Sequence, residues 1–208
     1  MSNSINKREI IFDIIAFCIT IIVVIIFDWQ VRDVIWSLWT SSLCVGYAFI
    51  VTLIISSIYF ANSTERLQNT VGGVFLLAFF TFHFGMFHFV HSVFLNGFFP
   101  LIQKSNKFPN FFVTIITALK SYWPFVLTTF VSRFSDFQFN KGNLLESKDM
   151  IMKPYVNVVR MHLLIFVFAG LYALRIAHFA IYPVLFTYFL PWKKLLQHYK
   201  YYLKQRSN

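Results

Sequence analysis

The stretch "FHFGMFHFVHS", residues 82–92, places three of the chain's six histidines in an otherwise apolar run. Neutral imidazole binds zinc, copper and iron, including haem iron, and histidine also carries protons near neutral pH. On a helix, His83, His88 and His91 would lie at about 0°, 140° and 80° around the axis, and therefore on one side. The stretch is a candidate wall of an intramembrane site.

The spacing of the three histidines limits what they can do alone. His88 and His91 are i,i+3 neighbours, so their rings can converge on one ion. His83 and His91 are about 12 Å apart along a helix axis, too far to bind the same ion. A metal site therefore needs ligands from a second helix.

Two later stretches offer such ligands. "PYVNVVRMHLLIF", residues 154–166, contains Arg160 and His162, and "RIAHF", residues 175–179, contains Arg175 and His178. Histidines on facing helices commonly hold a haem, and arginine pairs with its propionates or with another anion. The predicted metal ligands are His83, His88, His91, His162 and His178, and the predicted cofactor-binding arginines are Arg160 and Arg175.

Two other interpretations of these residues stay open. Histidines in a helix bundle can act as interhelical hydrogen-bonding residues, or they can line a path for protons or substrate. A di-iron oxygenase of the histidine-rich desaturase kind would need more histidines than this chain has. The sequence offers no nucleophile and no paired carboxylates, so an enzymatic activity stays undecided.

The elements that must position these residues are membrane-spanning helices. The chain is 58% hydrophobic and 12% charged. It therefore has more apolar surface than a soluble domain of 208 residues can bury. Apolar runs of about 20 residues match the thickness of a bilayer. We predict an all-α, polytopic transmembrane bundle of about six spans, forming one domain over residues 1–192: 9–27, 34–60, 71–99, 111–131, 155–174 and 176–192.

The distribution of charge predicts the orientation of the chain. Short loops rich in Lys and Arg stay in the cytoplasm, and six spans place most of the 18 Lys and Arg residues on the side of the N-terminus. This predicts a cell (inner) membrane protein with both termini cytoplasmic. Residues 193–208 are predicted to form a basic amphipathic cytoplasmic tail. The net charge of +10 then reflects topology and attraction to lipid headgroups, and it does not indicate nucleic-acid binding.

Four further features accompany the predicted spans. Trp36 and Trp39 fit an interfacial belt, and small residues that include Gly46 favour a close helix approach. Pro124 predicts a kink in the fourth span, because proline frees a backbone carbonyl. Lys120 lies within the same span and is expected to snorkel towards the surface or to pair with a carboxylate.

The segments "SLWTSSLCVGY", "HFGMFHFVHSVF" and "PYVNVVRMHLLIF" together resemble an uncharacterised family of prokaryotic multi-pass integral membrane proteins, a domain of unknown function. The resemblance extends from the second span to the sixth. It implies that His83, His91, Arg160 and His162 are motif positions of the family. It implies no activity, because the family has none assigned.

The sequence thus predicts a multi-pass membrane protein with a histidine and arginine site between spans three, five and six. The site is expected to bind copper, zinc, iron or haem through His83, His91 and His162, with His88 or His178 completing it. The alternatives are a small transporter or channel component with a histidine-lined path, and a structural or assembly subunit. The expected partner is the lipid bilayer, and the sequence leaves open a homo-oligomer or a membrane-complex partner.

Overall fold

A computed structural model describes residues 7–102 and 110–137. It also describes twelve later residues: Tyr155, Val158, Val159, Leu163, Phe166, Val167, Gly170, Leu171, Ala173, Leu174, Arg175 and Tyr199. The helices are α1 (Lys7–Ile26), α2 (Val31–Tyr59), α3 (Ser63–Phe98) and α4 (Phe111–Ser132), followed by a short 3₁₀ helix, Phe134–Phe137. No strand occurs within these residues, and the all-α prediction is confirmed.

Three of these helices, α2, α3 and α4, are long and apolar enough to cross a bilayer, which identifies a membrane protein. Helix α1 contributes a shorter apolar stretch, Phe17–Ile26. The prediction of about six spans is not supported, because the fifth and sixth predicted spans lie mostly outside the described residues. Where those two spans would meet, Leu174 and Arg175 form a turn, and Arg175 has a φ of 60°.

Polar residues shape the connection between α1 and α2. Asp28 adopts a φ of 47°, in the left-handed region that aspartate tolerates better than most residues. Helix α2 then begins with a capping box, in which the Gln30 backbone N–H donates to Oδ2 of Asp33 at 2.9 Å. Only four residues, 27–30, therefore separate the two helices.

Helices α2 and α3 pack antiparallel, since only three residues join them. Their close approach depends on Gly46, where an added Cβ would overlap the ring of Phe84 and lie 2.7 Å from its Cε1 atom. Near the other end of the pair, the Asn69 side-chain amide donates to the Ser57 carbonyl at 2.9 Å. The predicted small-residue contact at Gly46 is confirmed.

Trp36 and Trp39 lie in the core of the bundle with 0% exposure. Trp36 Nε1 donates to the Phe99 carbonyl at 2.8 Å, and Trp39 Nε1 donates to the His88 carbonyl at 3.1 Å. The prediction that these residues form an interfacial belt is wrong. Their indole N–H groups find acceptors inside the protein, which removes the need for an interfacial position.

Helix α4 is kinked where Pro124 predicts it. The non-helical residue is Tyr122, with φ −119° and ψ 16°, and its hydroxyl donates to Oδ1 of Asp33 at 2.8 Å. Trp29 packs edge-on against Tyr122 with ring centroids 5.4 Å apart. Lys120, one turn before Pro124, is exposed, as a snorkelling lysine would be.

Candidate functional site

Two of the three histidines on α3 are buried side by side. His88 is 0% exposed and His91 is 1% exposed. Their ring centroids are 6.3 Å apart, with an angle of 71° between the ring planes. They face inwards because they continue the buried stripe of α3 at helical spacing. The hydrophobic members of that stripe are Phe80, Phe84 and Leu95. We call His88 and His91 the histidine pair.

The hydrogen bonding of His88 defines its tautomer. Its Nδ1 lies 3.0 Å from the Phe84 carbonyl, which can only accept, so Nδ1 carries the hydrogen and Nε2 carries the lone pair. Across the described ranges Nε2 is buried and has no hydrogen-bond partner. A buried acceptor left in this state costs about 1–3 kcal/mol, so Nε2 is the atom at which an ion or a donor would bind.

The ring of His88 is held between aromatic neighbours. The Phe84 ring centroid lies 4.3 Å away, and the Trp39 ring centroid lies 5.7 Å away. Trp39 also bonds to the backbone carbonyl of His88. The surroundings are apolar, which strengthens any electrostatic interaction that Nε2 makes. Which residues surround the His88 ring depends on which face of α2 meets α3. The spacing of the histidines alone does not reveal that face.

His83 is placed apart from the histidine pair. It is exposed on another side of α3, and its ring lies against Phe79, Phe87 and Tyr155 at centroid distances of 5.5, 5.1 and 5.5 Å. The predicted single wall of three histidines therefore reduces to two neighbouring rings. Its participation in a ligand set stays a prediction.

The start of the predicted fifth span packs against α3. The Tyr155 ring contacts Phe80 and Phe84 at 6.0 and 5.9 Å, and Val158 is buried with 3% exposure. The predicted site residues Arg160, His162 and His178 lie outside the described residues. Arg175 is exposed in its turn. A contribution from a second histidine-bearing helix thus stays a prediction.

A second polar cluster lies at the start of α2, around Asp33. Its Oδ1 accepts from the Tyr122 hydroxyl at 2.8 Å and from Arg32 Nη2 at 3.5 Å, while Oδ2 accepts from the Gln30 N–H. Sequence reasoning missed this cluster, although Gln30 and Asp33 have the spacing of a capping box. Because both carboxylate oxygens are engaged, its role is to join α2 to the kink of α4.

Within the described parts of the chain, no group of three or more His, Cys, Asp or Glu residues could hold a metal ion. The histidine pair offers two nitrogen-bearing rings, and the part of the chain that the structure describes adds no third ligand of these types to them. A metal bound here would need further donors from elsewhere in the chain or from solvent.

Comparisons with known proteins give one match. A family model described as a family of unknown function (DUF6498) matches residues 1–194. No curated protein and no solved structure matches the chain. The match agrees with the resemblance to an uncharacterised family.

Proposed function

The chain belongs to the family of unknown function DUF6498, and we propose from its own geometry that it is an integral membrane protein that binds a transition-metal ion at His88 and His91. The observation that carries this proposal is the state of His88. Its ring is fully buried, its Nδ1–H is bonded to a carbonyl, and its Nε2 lone pair has no partner in the described residues.

This arrangement is the one that metal-binding histidines usually have. A ligating histidine donates its second ring N–H to a carbonyl or carboxylate, and this bond fixes the tautomer and the orientation of the ring. The Phe84 carbonyl provides such an acceptor for His88. Trp39 and Phe84 restrict the rotation of the ring and keep water away from it.

The distance between the two rings supports a shared ion. A histidine nitrogen binds zinc at about 2.0–2.1 Å, so two imidazoles on one ion have ring centres roughly 5–6.5 Å apart. The ring centroids of His88 and His91 are 6.3 Å apart. This separation lies at the upper end of the range for two imidazoles on one ion.

The chemistry of the donors favours zinc, copper or iron. Imidazole suits these metals, whereas magnesium and calcium require oxygen ligands. Haem fits the described surroundings less well, because Phe84, Trp39 and His91 flank His88 closely and a porphyrin extends well beyond one imidazole. His162 and His178 are the proposed additional ligands, and Arg160 and Arg175 are the proposed partners of an accompanying anion.

Metal analysis of protein purified in mild detergent without chelators tests the proposal. We expect the wild type to retain zinc, copper or iron, and His88→Gln and His91→Gln to lose it. His83→Gln distinguishes a site formed by the histidine pair from one that also includes His83. Because His83 is exposed and lies apart from the pair on the same helix, we expect this variant to retain the metal. A wild type that stays metal-free after incubation with each of the three ions would refute the proposal.

A structural or assembly subunit is the second candidate. The packing of His88 between Phe84 and Trp39 supports it, because a ring in such a position can serve the bundle by shape alone. In that case His88→Gln should lower the unfolding temperature equally with and without added metal. A metal-dependent difference between wild type and variant would exclude this alternative.

A further inference from the structure

We infer that the histidine pair exchanges its ion with one side of the membrane only, the side on which α3 ends, and that Trp36 closes this route. The identity of the ion rests on the proposed function. The route itself can be tested without any metal, so the two proposals can fail separately.

The position of the pair along α3 favours this side. At 1.5 Å per residue, His91 is about 10 Å from Phe98, the last residue of the helix. His88 is about 26 Å from Val71, where the apolar part of the helix begins. The shorter path to water therefore leads towards the C-terminal end of α3.

Polar side chains follow this shorter path. Ser92 is buried with 4% exposure and lies one turn after His88, and Asn96 lies one turn further on and is half-buried. Ser92 Oγ donates to the Phe89 carbonyl at 2.7 Å, which leaves its oxygen lone pairs able to accept or to coordinate. Asn96 Oδ1 lies 3.4 Å from the Leu101 backbone N–H, beside the segment that follows α3.

The opposite direction is closed by aromatic rings. Phe80 and Phe84 are 1% and 0% exposed and stack with ring centroids 4.4 Å apart. Tyr47 packs edge-on against both, at 5.5 and 6.1 Å. Between Gly73 and His88 the buried residues of α3 are these two phenylalanines. An ion moving this way would have to displace both rings from a dry interface.

Trp36 lies at the C-terminal end of the polar path. It is 0% exposed, and its Nε1 donates to the Phe99 carbonyl at 2.8 Å. Its ring meets Trp39 edge-on, with centroids 5.4 Å apart. The bond fixes Phe99, the residue after α3, against α2, and the backbone N–H of Leu101 lies 3.4 Å from Asn96 Oδ1. We expect that breaking the Trp36 bond loosens residues 99–101 beside Asn96. Loss of one such bond should raise the open population roughly threefold to tenfold.

Cysteine accessibility in membrane vesicles tests the route. Ser92→Cys and Asn96→Cys are made in full-length protein in which the native residues Cys18 and Cys44 are replaced by alanine. An impermeant thiol reagent is added to vesicles of either orientation. Leu67→Cys reports the opposite side, because it is exposed near the start of α3.

We expect Asn96→Cys and Ser92→Cys to react only from the side opposite to that of Leu67→Cys. Trp36→Phe should accelerate the reaction of Ser92→Cys roughly threefold to tenfold and leave Leu67→Cys unchanged. Asn69→Leu removes a hydrogen bond between α2 and α3 far from the histidine pair instead, and it is the control for general loosening. It should leave the rate at Ser92→Cys unchanged.

Reaction of Ser92→Cys from the Leu67 side would overturn the route. Equal acceleration by Trp36→Phe and Asn69→Leu would overturn the role of Trp36. Protection of Ser92→Cys from the thiol reagent by added zinc would support zinc binding at the histidine pair. One-sided reaction without such protection would support the route and count against zinc as its ion.

Discussion

His88 has one ring nitrogen bonded and the other without a described partner. The i,i+3 spacing predicted that His88 and His91 would be neighbours, because this follows from helical geometry alone. The sequence did not reveal that the Phe84 carbonyl fixes the tautomer, or that Trp39 covers the ring. Both depend on how α2 and α3 meet, and local spacing carries no information about that.

Metal binding should make the stability of the protein depend on His88. A ligand that binds only the folded state at 100 times its Kd stabilises by about 2.7 kcal/mol. We expect a chelator to lower the unfolding temperature of the wild type and to leave that of His88→Leu unchanged. Differential scanning fluorimetry in detergent measures this, with His83→Leu as the control that should respond like the wild type. An identical response of wild type and His88→Leu would contradict the prediction.

At the scale of elements, the bounds of the predicted spans agree best with the bounds of the helices where a helix ends in apolar residues. Helix α3 begins at Ser63, earlier than the predicted residue 71, because the polar segment 63–70 continues the helix beyond its apolar part. Pro124 predicted the kink of α4, but the hydrogen bond from Tyr122 to Asp33 was not predicted. Such a contact between residues far apart in sequence is visible only after the helices are packed.

The contact between α2 and α3 should be sensitive to volume at Gly46. In Gly46→Ala the new Cβ overlaps the Phe84 ring, and overpacking of this kind costs about 1–3 kcal/mol of unfolding free energy. Gly72→Ala is the matched control on α3, since nothing lies within 4 Å of its added Cβ. It should be neutral or stabilising by up to about 1 kcal/mol. Denaturant unfolding in micelles measures the unfolding free energy of both variants. Equal changes would contradict the close packing of Gly46 against Phe84.

The junction between α2 and α4 should weaken when the Tyr122 hydroxyl is removed. A hydrogen bond to a charged group contributes about 1.5–3 kcal/mol, so Tyr122→Phe should lower the unfolding free energy by roughly this amount. Tyr59→Phe changes the same atom at a residue that is 73% exposed, and it should have no effect. The same unfolding assay compares the two, and a neutral Tyr122→Phe would show that the contact contributes nothing.

At the scale of the molecule, composition was sufficient to predict an all-α membrane protein. The number of spans was harder, because the run from 155 to 192 offers only Arg175 as a boundary. Arg175 does lie in a turn, with a φ of 60°. Hydropathy distinguishes lipid-compatible segments from loops, but it does not say how many times a continuous apolar run crosses the bilayer.

The orientation of the chain remains a prediction with a direct test. With an even number of spans, the distribution of Lys and Arg predicts that both termini are cytoplasmic. We expect epitope tags before residue 1 and after residue 208 to be protected from protease in intact cells and cleaved in inside-out vesicles. A tag in the loop between α1 and α2 should behave in the opposite way. Terminal tags on different sides would require an odd number of spans.

The indole of Trp39 lies 5.7 Å from the imidazole of His88, and Trp36 is its next neighbour. Tryptophan fluorescence is quenched by paramagnetic ions at such short range. Of the chain's five tryptophans, Trp123 is exposed at the kink of α4 and provides an internal reference for collisional quenching. A Cu²⁺ ion held by the histidine pair would therefore quench the fluorescence of the buried indoles selectively. The protein thus carries its own optical reporter of whether the site is filled.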